Sequence, residues 1–211
     1  MMQDLYVLAG ILAALAIGAV SPGPSFVMVA RESVSVSRGN GLAAAFGMGL
    51  GGLLMSSAAM LGLTMVLLAV PLLYLVLKVV GGLYLCYLGY RIFHGASAAL
   101  ADAGGGALQA HSASRSFWMA FTTQISNPKT AIVYASVFAT FLPGKVSLLL
   151  ALLVLLGGWM IEVGWYATVA LLLSAPAPRR TYLRFKTALD RAAGAVMMAL
   201  GVRLVSSAIK P

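Results

Sequence analysis

Residues 21–26 read SPGPSF and interrupt an apolar run that extends from residue 5 to residue 30. A proline inside a helix lacks the N–H that would bond four residues back, and its ring pushes that carbonyl away. Two prolines with one glycine between them therefore break the helix and release the carbonyls of Gly18 and Val20. The interruption recurs as SNPKTA at residues 126–131, where Pro128 frees the carbonyl of Gln124. In hydrocarbon, such groups are tolerated only if buried in protein or lining a watery cavity.

The rest of the chain is oily enough to make hydrocarbon the relevant solvent. Of 211 residues, 61% are hydrophobic and 9% charged, against roughly a quarter charged in a soluble domain. Six apolar stretches, at 5–30, 42–69, 72–93, 117–142, 146–175 and 192–209, reach the roughly 20 residues that a helix needs to cross a bilayer core. A membrane β-barrel would instead show alternating segments of about ten residues. The sequence predicts an all-α integral membrane protein with six transmembrane helices, the first and fourth broken at the proline motifs. Asp4 is the only charge before Arg31, so the N-terminus lacks the basic start of a secretory signal and is expected to remain as the first span.

The net charge of +9 follows the membrane rather than a nucleic acid. Loops after the first, third and fifth spans hold Arg31, Arg38, Arg91, Arg115, Arg179, Arg180, Arg184, Lys186 and Arg191, whereas the opposite side holds Lys145, Arg203 and Lys210. By the positive-inside rule the richer side is cytoplasmic and both termini lie outside. Cys86 is the single cysteine, which excludes an intrachain disulfide and the paired thiols of a membrane redox carrier. His94 and His111 lie on or beside the polar linker without a cluster of further ligands, so no metal and no cofactor is expected.

The two breaks belong to a repeat. Pro22 and Pro128 are 106 residues apart, and the same step carries Gly51 and Gly52 onto Gly157 and Gly158. The pattern Gly82-x6-Gly89-x-Arg91 returns as Gly194-x6-Gly201-x-Arg203, at an offset of 112. Residues 1–93 and 117–211 thus read as two three-helix membrane repeats joined by a flexible Ala/Gly/Ser-rich cytoplasmic linker at 94–116. Three spans is an odd number, so the halves must be inverted with respect to each other. Inverted repeats with matching broken helices mark secondary transporters, whose site lies between the repeats.

Each break is also a helix start. Ser21 can cap a helix with Pro22 at its first position, and Asn127 can cap one starting at Pro128. Two such N-termini inside the membrane suit a carboxylate, and Lys129 adds a full positive charge. The candidate substrate site is Ser21, Pro22, Gly23, Pro24, Ser25, Gln124, Asn127, Pro128 and Lys129. Glu162, in GGWMIEVGWYA, lies roughly 25 Å along its helix. A carboxylate at that depth is costly and is a candidate for coupling protons or holding a substrate ammonium, with an ion pair to Lys78 or Lys129 as the competing role. Gly51, Gly52, Gly157, Gly158, Gly82, Gly89, Gly194 and Gly201 are read as packing and hinge positions. Arg31 and Glu32 are read as interfacial anchors.

These elements, in this order, resemble the LysE/RhtB family of amino-acid exporters over nearly the whole chain. SPGP is similar to that family's GPGP signature, GLAAAFGMGLGG to its glycine-rich second helix, and LKVVGGLYLCYLGYRIF to its third. SNPKTA is similar to its Asn-Pro-Lys element and AAGAVMMALGVRL to its terminal helix. Many members carry an acidic residue just after GPGP, where this chain has Ser25, so Glu162 takes that role here from position alone. The resemblance implies proton-driven export of amino acids or close derivatives from the bacterial cytoplasm across the inner membrane. The expected partners are an amino-acid-like substrate, protons and the lipid bilayer, and a homo-oligomer is compatible with the sequence. The rival readings are a transporter of another small solute or cation, a channel and a non-transporting membrane scaffold.

Overall fold

The computed structural model describes residues 2–21, 23–69, 71–95 and 111–209. Pro22, most of the linker and Lys210 fall outside the described residues. Eight helices run through the described chain, with no strand among them: α1 (Met2–Val20), α2 (Pro24–Ser35), α3 (Arg38–Ala69), α4 (Pro71–Gly95), α5 (Ala113–Ile125), α6 (Pro128–Phe141), α7 (Leu148–Leu173) and α8 (Pro176–Ile209).

Among the described residues, two helical stretches are long and apolar enough to cross a membrane unaided, Arg38–Gly62 and Leu148–Leu173. Asp4–Val20 and Pro24–Ser35 make a third if a pair bent by 56° counts as one span. Lys129–Phe141 and Gly194–Ala208 are shorter apolar helices.

Local chemistry sets three of the helix starts. Ser112, Asn127 and Ser147 each accept a bond from a first-turn N–H, from Arg115, Lys129 and Leu150 respectively, and so satisfy donors with no intrahelical partner. The break in the first apolar segment departs from expectation. Ser21 does not cap a helix; its N–H still bonds the Ile17 carbonyl at 3.2 Å, which extends α1. Gly23 is the cap instead, with no side-chain bond, and Pro24 is the first helical proline. With two prolines available, the chain uses the second.

The core divides into two apolar clusters. One gathers Ile11 and Leu15 of α1, Val133 and Phe138 of α6, Val154 of α7, and Met197 and Leu204 of α8. The other gathers Phe26 and Val29 of α2, Ala44 and Met48 of α3, Ala120 of α5, and Tyr166 and Val169 of α7. Outer faces, such as Leu148, Leu152, Leu156 and Met160 on α7, expose large apolar side chains, as a surface solvated by lipid does.

Helices α4 and α8 meet on glycine. A Cβ on Gly82 would lie 2.8 Å from the Gly201 carbonyl oxygen, and one on Gly89 would lie 2.5 Å from that of Gly194. Numbers rise along one helix as they fall along the other, so the pair is antiparallel. The missing side chains let the backbones touch.

Candidate functional site

The two breaks meet. Ser25, in the first turn of α2, donates from Oγ to Gln124 Oε1 at 2.5 Å. Asn127 works in both directions: its Oδ1 caps α6 at the Lys129 N–H, 3.0 Å away, and its Nδ2 donates to Ser25 Oγ at 2.9 Å. Lys129 reaches back across the junction and donates from Nζ to the Ser21 carbonyl at 2.5 Å. That carbonyl lies one residue past the end of α1, where the helix dipole favours a cation.

Glu162 closes the network from α7. Its Oε2 accepts from Gln124 Nε2 at 2.6 Å and its Oε1 from the Tyr134 hydroxyl at 2.9 Å. Both are neutral donors, and the carboxylate is 8% exposed. Gly52 of α3 lies against this carboxylate, where a Cβ would come within 2.6 Å of Oε2. Gln124 is the link: its amide oxygen takes Ser25 and its amide nitrogen gives to Glu162. Its backbone carbonyl, expected to be freed by Pro128, accepts instead from the Asn127 N–H at 3.2 Å, so Gln124 contributes by side chain.

A cavity of about 30 Å³ lies among these groups, at the junction of the two apolar clusters. Lys129 and Glu162 both line it, together with Ser21, Gly23, Ser25 and Asn127 from the expected site. Its free space suits roughly two water molecules, too little for an amino acid. Ser21 Oγ is buried there with no hydrogen-bond partner among the described residues. Pro24, exposed at the start of α2, is absent from the lining. Pro22 and the side chain of Pro128 fall outside what is described.

The remaining expected positions are distributed around this centre. Gly51 packs on Gln124, and Gly157 and Gly158 pack on Leu12 and Leu15 of α1. Gly82, Gly89, Gly194 and Gly201 are remote from the cavity, in the α4–α8 contact. Sequence reasoning missed Thr130, Tyr134 and Tyr166, all in the lining. Tyr166 was legible in principle, because it follows Glu162 by one helical turn on the same face. Glu32 needs correction as well. It is 1% exposed, not an interfacial anchor, while the adjacent Arg31 is exposed.

The described chain combines helices long and apolar enough to cross a membrane with a small polar cavity where the helix breaks meet, the arrangement a membrane translocator needs. Residues 16–208 match the family model for the LysE type translocator, and the chain belongs to that family. The threonine efflux protein of Salmonella typhi is 32% identical to it over 194 residues, 89% of this chain and 92% of the relative. The threonine efflux protein of Escherichia coli (strain K12) is 31% identical, with the same coverage. No solved structure gives a significant match to the chain.

Proposed function

We propose that this protein is a secondary active exporter of amino acids, threonine-sized zwitterions among them, moving substrate out of the bacterial cytoplasm across the inner membrane in exchange for protons. The observation that carries the reading is one cavity lined at once by Lys129 and Glu162, where the two helix breaks meet. A zwitterion brings an anion and a cation, and each finds its opposite. Lys129 and the backbone at Ser21–Pro24 and Asn127–Pro128 receive the carboxylate, and Ser25, Gln124 and Asn127 hold that lining in place. Glu162 receives the ammonium, or a proton once the substrate has left. Competition of the two cations for one carboxylate couples the fluxes. The relatives' names support the substrate class.

The architecture behind it is six spans in two inverted repeats, 1–93 and 117–211, with the linker 94–116 cytoplasmic and both termini outside. Support comes from the α4–α8 contact. A two-fold axis that exchanges Gly82 with Gly194 and Gly89 with Gly201 turns the Gly82–Gly201 contact into the Gly89–Gly194 contact, and both are present. Gly51, Gly52, Gly157 and Gly158 give the close packing at which one repeat rocks against the other.

Proteoliposomes loaded with threonine and a panel of other amino acids test this. Efflux should accelerate when the outside is made acidic. Lys129→Ala and Glu162→Gln should each cut flux at least about tenfold, the loss of one charge-assisted contact. Efflux indifferent to the gradient removes proton coupling, and undiminished flux in both variants removes the assigned roles.

A further inference from the structure

A second buried polar cluster lies at the far end of α2. Glu32 Oε2 accepts from Ser116 Oγ at 2.6 Å and bonds His111 Nε2 at 3.0 Å. Asn40, near the start of α3, donates from Nδ2 to Ser116 Oγ at 2.8 Å and to the His111 carbonyl at 3.0 Å. Ser37 holds Asn40 in turn, donating to its Oδ1 at 2.7 Å and accepting from its backbone N–H at 3.1 Å. Glu32 Oε1 is buried with no hydrogen-bond partner among the described residues.

The cluster is tied to the cavity by two rigid helices. Ser25 and Glu32 lie on the buried face of α2, and Ser116, Ala120 and Gln124 lie on the buried face of α5. Ser25 bonds Gln124 at the cavity, and Glu32 bonds Ser116 at the other end. The two helices therefore run antiparallel, pinned at two points about 11 Å apart along their axes. Val29 and Ala120, both fully buried, belong to the same apolar cluster.

Stability alone is a poor reason for this arrangement. Burying a carboxylate with one oxygen unsatisfied costs free energy, and an apolar pair of similar volume would hold two helices at least as well. A partly satisfied polar contact is instead one that can open. The cavity behind it is too small for any amino acid as it stands, so some seam has to part.

We propose that Glu32, Ser116, His111 and Asn40 form the latch of one gate. While closed, the latch holds α2 against α5 over the cavity; when it opens, the helices separate and expose the cavity at the Glu32 end. Exposed Arg31, Arg38 and Arg115 lie next to the latch in sequence, which makes this the cytoplasmic gate, the one through which an exporter loads. The inference rests on the exporter reading but has its own readout.

The test places Ala120→Cys in the seam of a Cys86→Ser chain and follows its reaction with a membrane-impermeant thiol reagent in inside-out and right-side-out vesicles. With the latch intact, labelling should be slow from both sides. Glu32→Gln should speed labelling from the cytoplasmic face by about tenfold or more, the loss of one charge-assisted bond, and leave the outer face unchanged. Ser116→Ala removes the hydroxyl with little change of volume and should act in the same direction, which keeps the test decisive if the Glu32 variant does not fold. Unchanged labelling in both variants, or acceleration from the outer face, overturns the latch. Amino-acid flux in the same vesicles separates the two readings: altered labelling without transport of any amino acid retires the exporter and keeps the gate, and normal labelling with transport does the reverse.

Discussion

Asn127 and Tyr134 show how much single side chains carry. Asn127 caps α6 with its oxygen and bonds Ser25 with its nitrogen, so two substitutions separate the functions. Asn127→Asp keeps the capping oxygen and loses the donor. It should reduce transport, and because the cap survives, its loss of melting temperature reports the missing donor and the buried charge rather than the cap. Asn127→Ala loses both and should cost about 1–2 kcal/mol from the cap alone, visible as a clear fall in melting temperature. Tyr134→Phe leaves Glu162 Oε1 without its donor and should destabilise the protein by about 1–3 kcal/mol; equal melting of variant and wild type would contradict the bond. Glu162 stood out in the sequence because a carboxylate in an oily helix is costly to bury, and the structure sets it in the cavity lining. The tyrosines did not, since Tyr is at home on an apolar helix and its hydroxyl partner comes from another element. Glu32 was misread for a related reason. Beside Arg31 at the end of an apolar run it looks interfacial, and its partners, Ser116 of α5 and His111 just before it, lie 84 and 79 residues away in sequence.

At the scale of elements, proline gave the clearest signal, because its missing N–H acts within four residues and needs no tertiary context. The placing of α6 at Asn127–Pro128 follows from that chemistry. The start of α2 does not, because SPGP offers two prolines and only the continuation of α1 through the Ser21 N–H selects the second. A Cβ on Gly23 would sit 3.2 Å from Lys129 Cδ, against a flexible stem that can yield. Gly23→Ala should therefore shift Lys129 and lower transport with little change in melting temperature. The α4–α8 glycines behave differently, because backbone faces backbone there. Gly201→Ala should cost about 1–3 kcal/mol, and thermal unfolding in detergent checks it.

Across the whole molecule, hydropathy marked where apolar helices would lie but not how the chain divides them. The apolar stretch at 192–209 is the second half of a 34-residue helix, α8, whose first half carries Arg184 and Arg191. The segment around SNPKTA is two helices of 13 and 14 residues. The all-helical class was legible because the apolar stretches are of helix-spanning length and lack the short alternating segments of a barrel. The meeting of the breaks was not, since Gln124 joins Ser25 of α2 to Glu162 of α7 through both ends of one amide. Lys129 and Glu162, far apart in sequence, share one small cavity because the breaks face each other.

The most direct measurement is calorimetric binding of threonine and of N-acetylthreonine to purified wild-type protein and to Glu162→Gln. Expected is that wild type binds threonine and rejects the acetylated compound, which keeps the carboxylate for Lys129 but has no ammonium for Glu162, and that Glu162→Gln loses most of this discrimination. Equal affinity of wild type for the two compounds, or full discrimination surviving in Glu162→Gln, would contradict a zwitterion held between the breaks.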